Sequence, residues 1–347
     1  MRRPKPAVVG AAHQALGPDE VRLFAQQRPF GLILFDRNIG SPGQVRDLVA
    51  DFRQAVELPW APVFIDQEGG RVARLKPPFW HRLPPAALFG RIAREDFVEA
   101  AAALELAISI ACADLASLGI GVNTIPVLDL PAPDADPVIG DRAYDSDPQL
   151  VARLGRVAVD ASLAGGILPV IKHIPGHGRA TLDSHHALPR VSADRQDLRG
   201  HDFLPFKALS DAPFAMTAHV VYEAYDAERP LSCSRTAIAE AVRGDIGFEG
   251  VLISDDIMMK ALTGSVGERA RAVHHAGCDL VLHCSGNLAE TAELLGALPD
   301  MTEEEENRVA SALARAALPD PGDRPDPDRA AERLEALIGA WRQRFQD

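Results

Sequence analysis

Residues 166–178 read GILPVIKHIPGHG, an apolar run that passes directly into a polar loop. The run has the length and the continuous apolar character of a buried strand. Pro175, Gly176 and Gly178 exclude regular helix from the polar part, because proline removes a backbone donor and glycine disfavours helix. A buried strand that ends in a polar, glycine-containing loop is how α/β barrels build active sites. We therefore expect a functional site where this segment ends.

Two other interpretations of the segment stay open, a polar surface loop and a metal site. A metal is considered because His173 and His177 are four residues apart. Zinc motifs with that spacing need a helix that brings both rings to one face, and Pro175 and Gly176 interrupt any such helix. We therefore predict no metal site and no cofactor.

Short apolar runs alternate with helical patterns along the chain, which is typical of successive βαβ units. Most of the apolar runs are continuous rather than alternating, as expected for parallel strands covered on both faces. The candidate strands span residues 7–9, 31–35, 63–65, 121–124, 168–171, 214–217, 251–254 and 280–283. No GxGxxG phosphate loop follows the first strand, which disfavours a doubly wound sheet. Eight such strands, several of them leading into polar residues, predict an α/β fold of the (β/α)8 TIM-barrel type.

The chain is predicted to form one domain with a helical tail. Helical patterns over residues 99–118 and 149–164 separate candidate strands. A break rich in proline and aspartate at residues 318–327 comes before a final helix. We therefore predict a barrel domain over residues 1–318, followed over residues 319–347 by a linker and a C-terminal helix that packs on the barrel.

Composition restricts the classes of function. The 347 residues carry 36 basic and 49 acidic side chains, a net charge of −13, which argues against a nucleic-acid partner. Four scattered cysteines without a CxxC pair suit reduced thiols in the cytosol. We find no signal-peptide pattern and no window that approaches a transmembrane span. We expect a cytoplasmic monomer that binds neither nucleic acid nor a membrane.

Two consecutive aspartates end an apolar run in residues 252–258, which read LISDDIM. A carboxylate at the end of a buried strand is energetically costly unless it has a function. The alternative is a helix N-cap, a position where aspartate is favoured. Because two aspartates are present, Asp255 and Asp256 can divide these two roles between them.

Two further segments combine charge with glycine: residues 64–74 read FIDQEGGRVAR, and residues 138–144 read VIGDRAY. The Asp66 carboxylate in the first suits sugar hydroxyls, because a charged acceptor strengthens their hydrogen bonds. An internal salt bridge between Asp66 and an arginine is the alternative. Arg142 in the second lies near an aromatic residue and could clamp the edge of a substrate.

Taken together, these segments resemble the glycoside hydrolase family 3 β-N-acetylhexosaminidases. The resemblance rests on LILFDRN, DQEGGRVARL, PVLDL, VIGDRAYDSDP, KHIPGHG, DSHHALP, AHVVY, GVLISDD and AGCDLVL, in chain order. The segment KHIPGHG followed by DSH is a highly specific signature of that family. The resemblance implies a (β/α)8 barrel that retains anomeric configuration through a covalent glycosyl-enzyme.

The resemblance also implies roles for particular residues. Asp255 would be the nucleophile, and His185, held by Asp183, would be the general acid/base. The sugar-binding positions would be Asp66, Arg74, Arg142, Lys172 and His173. A histidine suits the acid/base role because its pKa lies near neutrality, so it can give and then take a proton. A nearby carboxylate would orient the ring and hold its proton.

The activity implied by the resemblance is that of a retaining exo-β-N-acetylglucosaminidase. It would hydrolyse non-reducing terminal β-1,4-linked GlcNAc from cell-wall muropeptide fragments, in peptidoglycan recycling, so its partner would be a small carbohydrate substrate. Alternatives on the same barrel are a family 3 β-GlcNAc phosphorylase and a β-glucosidase. A metal-dependent hydrolase and a non-catalytic sugar-binding barrel are further alternatives. The presence of Asp255, Asp183 and His185 together argues against the last of these.

Overall fold

Eight parallel strands form a closed barrel in the computed structural model, which describes residues 3–132, 139–180, 188–316 and 326–345. In chain order the strands are β1 Lys5–Gly10, β2 Pro29–Leu34, β3 Val63–Ile65, β4 Val122–Asn123, β5 Leu168–Ile174, β6 Arg190–Val191, β7 Phe214–Thr217, β8 Val221–Tyr222, β9 Val251–Asp256 and β10 Leu280–His283. All except β6 and β8 belong to the barrel, where each strand pairs with the next barrel strand and β1 pairs with β10. The predicted (β/α)8 fold is confirmed.

The barrel strands separate two layers of the core, because successive side chains of a strand point to opposite faces. Val8 lies inside the barrel, whereas its neighbour Val9 packs under the surrounding helices. In the interior the rings of Phe64 and Phe214 meet edge to face, with their centroids 6.1 Å apart. The interior is therefore filled by side chains, which leaves the end of the barrel for a ligand.

Helices follow the strands and cover the outside of the barrel. They are α1 Pro18–Gln27, α2 Pro42–Val56, α3 Ala86–Ala93, α4 Phe97–Ser117, α5 Pro148–Ala164, α6 Arg195–Gly200, α7 Leu204–Ala208, α8 Arg235–Ala237, α9 Val266–Ala276, α10 Leu288–Ala297, α11 Glu303–Leu313 and α12 Pro327–Phe345. The helices predicted over 99–118 and 149–164 correspond to α4 and α5. Asp96 and Asp147 cap these two helices by accepting backbone N–H groups of the first turn.

Helix α4 corrects one expectation, that no window of the chain approaches a transmembrane span. Within the described residues, α4 alone is long and apolar enough to cross a membrane by length and composition, with a mean hydropathy of 1.6 over its most apolar window. Half of that window is buried, and the helix packs against α3, α5 and α12. Its apolar character follows from contacts on several sides, as in a core helix.

The C-terminal helix α12 packs on the outside of the barrel, against α4. Its side chains Ala330, Leu334 and Ile338 are buried and belong to the same apolar cluster as the outer faces of the strands. The predicted boundary near residue 318 falls in residues 317–325, outside the described part of the chain. The division into residues 1–318 and 319–347 therefore stays a prediction.

A small parallel sheet formed by β6 and β8 was not predicted. Its two ladder pairs join Arg190 to Val221 and Val191 to Tyr222. Strands of two residues contain no periodic pattern that a sequence could reveal. The sheet matters for the site because the Tyr222 hydroxyl donates to the Gly176 carbonyl at 2.7 Å, which ties the sheet to the turn after β5.

Candidate active site

A cavity of about 470 Å³ opens at the carboxyl end of the barrel strands. Residues that belong to β5 and β9, or that follow β2, β3, β4 and β10, line it. They include Phe35, Asp66, Glu68, Arg71, Arg74, Arg142, Lys172, His173, Asp255, Asp256 and Cys284. This is the end of a (β/α)8 barrel at which active sites are built. The cavity is therefore the candidate active site.

Lys172, on β5, is the centre of a buried network on one wall of the cavity. Its ammonium group lies 3.1 Å from Asp66 Oδ1 and 2.7 Å from Glu68 Oε1. It also donates to the Thr124 hydroxyl at 2.8 Å, and Thr124 in turn donates to Asp66. With a side chain only 2% exposed, Lys172 needs these partners to offset the loss of water. The network joins residues that follow β3 and β4 to β5.

Two arginines complete this wall. The Arg142 guanidinium donates to both oxygens of Glu68, from Nε and from Nη2, at 2.8 Å each. Arg74 donates to Asp66 Oδ2 at 3.1 Å and stacks over the Phe35 ring, 5.1 Å from its centroid. Among the described residues, the buried Nε of Arg74 has no hydrogen-bond partner. This wall therefore offers fixed charged acceptors together with at least one donor.

The cations of the wall keep its carboxylates ionised. Burial raises the pKa of Asp66, but the opposing charges of Lys172 and Arg74 outweigh it, so the pKa lies well below its usual range. The pKa of Glu68 is also lowered, because Lys172 and Arg142 outweigh the effect of burial. Ionised carboxylates accept hydrogen bonds from sugar hydroxyls more strongly than neutral oxygens do.

Asp255 lies on β9 at the floor of the cavity. Its Oδ1 accepts the backbone N–H of Asp256 at 2.8 Å. Burial raises the pKa of Asp255, but the interactions with His173 and His219 outweigh burial, and the net shift of the pKa is downward. The carboxylate is therefore ionised at neutral pH, the state that a nucleophile requires.

The neighbouring Asp256 has a structural role, one of the two roles that the sequence predicted for this pair of aspartates. Asp256 Oδ1 accepts the backbone N–H of Met258 and that of Cys284, each at 3.1 Å, which joins the end of β9 to the end of β10. These contacts stabilise a turn rather than a helix N-terminus. Burial raises the pKa of Asp256 to about 6. Of the two, Asp255 is the better candidate for a nucleophile.

His173 lines the cavity and is held from behind by a buried aspartate. Its Nδ1 lies 2.6 Å from Asp129 Oδ2, and its backbone N–H donates to Asp129 Oδ1 at 3.2 Å. The backbone N–H of His177 donates to the same Oδ1 at 2.6 Å. Asp129 thus closes the turn after β5 and leaves the other nitrogen of the His173 ring, Nε2, on the side of the cavity.

The structure brings most of the predicted site residues to this one cavity. They are Asp66, Arg74, Arg142, Lys172, His173 and Asp255. The salt bridge between Asp66 and an arginine, considered as an alternative, is also present, with Arg74 as the partner. Asp183 and His185 fall in residues 181–187, outside the described part of the chain, and their acid/base role stays a prediction.

Three network residues were not predicted as site residues: Glu68, Thr124 and Asp129. Each has a buried polar side chain that bonds to the side chain of a residue distant in the sequence. Thr124 ends a candidate strand, and that position was the only sequence signal for it. In the described ranges of the chain, no group of three or more His, Cys, Asp or Glu side chains is arranged to hold a metal ion.

The sequence matches a known family over most of its length. The family described as "Glycosyl hydrolase family 3 N terminal domain" matches residues 15–317. The chain belongs to glycoside hydrolase family 3. It is accordingly a glycosidase, and its substrate is a carbohydrate.

Relatives of this family 3 chain include proteins named β-hexosaminidase. The chain is 39% identical to the β-hexosaminidase of Alkalilimnicola ehrlichii over 299 residues. That alignment covers 85% of this chain and 84% of the relative. It is 34% identical to the β-hexosaminidase of Chromobacterium violaceum over 341 residues. That alignment covers 97% of this chain and 87% of the relative. The family assignment therefore rests on alignments that span nearly the whole of both chains.

Solved structures of family 3 proteins have the same fold. NagZ from Neisseria gonorrhoeae, in complex with N-trifluoroacetyl-D-glucosamine, superposes with a TM-score of 0.85 at 29% identity, over 97% of this chain and 98% of NagZ. A family 3 β-N-acetylglucosaminidase from Paenibacillus sp. str. FPU-7 gives a TM-score of 0.82 at 32% identity, over 96% of this chain and 66% of that one.

Proposed function

We propose that this family 3 glycosidase is a retaining exo-β-N-acetylglucosaminidase that removes non-reducing terminal GlcNAc from cell-wall muropeptide fragments. The observation that carries the proposal is that ionised Asp255 faces the charged wall formed by Asp66, Glu68, Arg142 and Lys172 across one cavity. The wall suits the hydroxyl groups of a terminal sugar, and Asp255 suits attack at its anomeric carbon.

The proposed reaction has two displacements. In the first, an oxygen of Asp255 bonds to the anomeric carbon, the bond to the aglycone oxygen breaks, and His185 gives that oxygen a proton. In the second, His185 takes a proton from water, the water oxygen bonds to the anomeric carbon, and the bond to Asp255 breaks. Two inversions restore the β configuration.

A histidine in the acid/base role differs from the two-carboxylate arrangement of most retaining glycosidases. Its pKa near neutrality suits both proton transfers. A neighbouring carboxylate, here Asp183, would fix the ring and favour its protonated form before the first displacement. These two roles rest on the resemblance of the DSH segment to that of the family.

The cellular setting is part of the proposal. The relatives named β-hexosaminidase and NagZ support GlcNAc as the sugar. Peptidoglycan recycling in the cytoplasm by a monomeric enzyme rests on the resemblance, and the scattered, unpaired cysteines suit a reducing compartment. Accumulation of GlcNAc–anhydro-muropeptides in cells that lack the protein would support this setting, whereas an unchanged muropeptide pool would contradict it.

We expect purified protein to release p-nitrophenol much faster from its β-GlcNAc glycoside than from its β-glucoside, in phosphate-free buffer. The two aryl glycosides are compared side by side, with and without added phosphate, and the sugar product is identified. Free GlcNAc in both buffers supports the proposal. Activity on the glucoside alone favours a β-glucosidase, and GlcNAc 1-phosphate formed only with phosphate favours a phosphorylase.

The acid/base role of His185 predicts a dependence on the leaving group. Replacing His185 with alanine is expected to slow alkyl or phenyl β-GlcNAc cleavage by about 10²–10⁴-fold, because those leaving groups need a proton. The dinitrophenyl glycoside has a leaving group that needs no proton. The rate of its first displacement should therefore fall by no more than about tenfold. The measurement is kcat/KM over a series of aglycones. A loss of equal size for every aglycone would remove His185 from this role.

A further inference from the structure

Asp129 is a fully buried carboxylate at the back of the site, outside the set of residues that the resemblance assigns. Its side chain is 0% exposed. No lysine or arginine forms an ion pair with it in the described ranges; its hydrogen-bond donors are the two backbone N–H groups of His173 and His177 and the ring Nδ1 of His173. A buried carboxylate is costly unless it is hydrogen-bonded, and the His173 ring is the side-chain donor that Asp129 has here.

His173 lies between Asp129 and the cavity that contains Asp255. Because the Asp129 carboxylate can only accept, the Nδ1 of His173 must donate, which fixes the tautomer and the plane of the ring. Nε2 is then held on the cavity side. His173, His219 and Lys172 each lower the pKa of Asp255, in opposition to burial, which raises it.

We propose that Asp129 is a positioning residue that holds the His173 ring, through the hydrogen bond to Nδ1, in a fixed orientation at the cavity that contains Asp255. This inference rests on Asp255 acting as the nucleophile, as proposed above. Asp129 is not among the residues that line the cavity, whereas His173 is, so Asp129 acts on the site through the His173 ring. Asp129, His173 and Asp255 thus form a chain of side chains that runs from the buried loop after β4 to the floor of the site.

The charged and titratable groups that face this chain come from several elements. Those around Asp129 are His173, His177, Arg142 and Tyr222. Those around Asp255 are His173, Lys172, His219, Asp256 and Cys284. Burial raises the pKa of Asp129, but the interactions with His173 and His177 outweigh burial and lower this pKa to about 2, so the carboxylate is ionised at neutral pH.

The sign of the effect on pH dependence follows from these charges. The interaction with His173 lowers the pKa of Asp255. Without the Asp129 carboxylate the His173 ring is no longer held in place at the cavity, so this interaction weakens and the pKa of Asp255 rises. A nucleophile with a higher pKa is protonated at higher pH, and the acid limb of kcat/KM moves upward.

The test is the pH profile of Asp129→Asn between about pH 4 and pH 8, with dinitrophenyl β-GlcNAc as substrate. This leaving group needs no proton, so the acid limb reports the nucleophile. We expect the ratio of kcat/KM at low pH to kcat/KM at neutral pH to fall about fivefold or more in the variant. Asp202→Asn is the matched control, because Asp202 is equally buried but pairs with Arg179, at 2.7 Å, instead of His173.

A double-mutant cycle separates positioning from support of the fold. If Asp129 acts through His173, Asp129→Asn adds no further shift of the acid limb to a protein that already contains His173→Gln. A uniform loss of activity with an unshifted limb, or equal shifts in both backgrounds, would make Asp129 a structural residue and overturn the inference. If wild-type protein fails to cleave the substrate, or Asp255→Asn cleaves it well, the proposed function fails instead.

A spectroscopic measurement keeps the inference testable if Asp129→Asn does not fold. In wild-type protein with 15N-labelled histidine, we expect a strongly hydrogen-bonded proton on the Nδ1 of His173, assigned by its loss in His173→Gln. The Asp202→Asn variant should retain this signal. A His173 ring without a proton on Nδ1 would overturn the inference.

Discussion

Replacing Asp255 with asparagine is expected to lower kcat by at least about 10³-fold while the fold stays intact. The amide cannot form a glycosyl ester, and it removes the negative charge that would stabilise the developing positive charge at the anomeric carbon. Among the residues that the structure describes, the Asp255 side chain accepts one hydrogen bond, from the backbone N–H of Asp256, which an amide oxygen can still accept. Activity on aryl β-GlcNAc and the thermal midpoint are the two measurements.

Asp256→Asn is the matched control for this experiment. Asp256 lines the same cavity, but its Oδ1 is used by the backbone N–H groups of Met258 and Cys284. An asparagine oxygen can accept both, so we expect a loss within about tenfold. If Asp255→Asn keeps substantial activity and Asp256→Asn has almost none, the nucleophile is Asp256.

Replacing Lys172 with methionine is expected to lower the free energy of unfolding by about 3–5 kcal/mol, in addition to abolishing sugar binding. Methionine fills similar space, but the buried carboxylates of Asp66 and Glu68 lose the cation that lies within 3.1 Å of both. Asp66 keeps its ion pair with Arg74, and Glu68 keeps its ion pair with Arg142. Denaturant unfolding at neutral pH measures the change.

Lys76→Met is the control, because Lys76 makes an ion pair of similar length at the surface. Its ammonium lies 3.2 Å from Asp36 Oδ1. The Lys76 side chain is 54% exposed and that of Asp36 is 57% exposed, whereas the Lys172 side chain is 2% exposed. An exposed pair of this kind contributes about 0–1 kcal/mol. Equal losses in the two variants would show that burial of the Lys172 network does not determine its contribution.

The pH dependence of the Lys172 variant has a definite sign. The folded-state pKa values of Asp66 and Glu68 are lowered, so the stabilisation that wild-type protein gains from them is complete above the unfolded carboxyl pKa, about 4. It is lost as the pH falls through the lowered values. The deficit of Lys172→Met should therefore be largest at neutral pH and should shrink in acid.

The barrel was predictable because its signals are local. Continuous apolar runs such as residues 168–171 mark buried parallel strands, and each leads into polar residues where it ends. The carboxyl ends of parallel strands meet at one end of a barrel, so Asp66, Lys172 and Asp255 could be placed together although they are far apart in the sequence. The two-residue strands β6 and β8 have no such signal.

The pairings inside the site were not predictable in the same way. Nothing local shows that Lys172 serves both Asp66 and Glu68, or that Asp129 holds His173, because these contacts form only when the barrel closes. Hydropathy also misled at α4, whose apolar faces are explained by packing against three other helices. Tertiary contacts, rather than composition, determine the role of each of these residues.

The most direct test of the account is to trap the covalent intermediate. A fluorinated N-acetylglucosaminyl donor with a good leaving group, which forms the intermediate faster than it hydrolyses, is incubated with the protein, and peptic fragments are analysed by tandem mass spectrometry. The account predicts one added sugar on Asp255, with recovery of activity as the adduct hydrolyses to the β-anomer. Label on Asp256, or an α-anomeric product without any adduct, would contradict it.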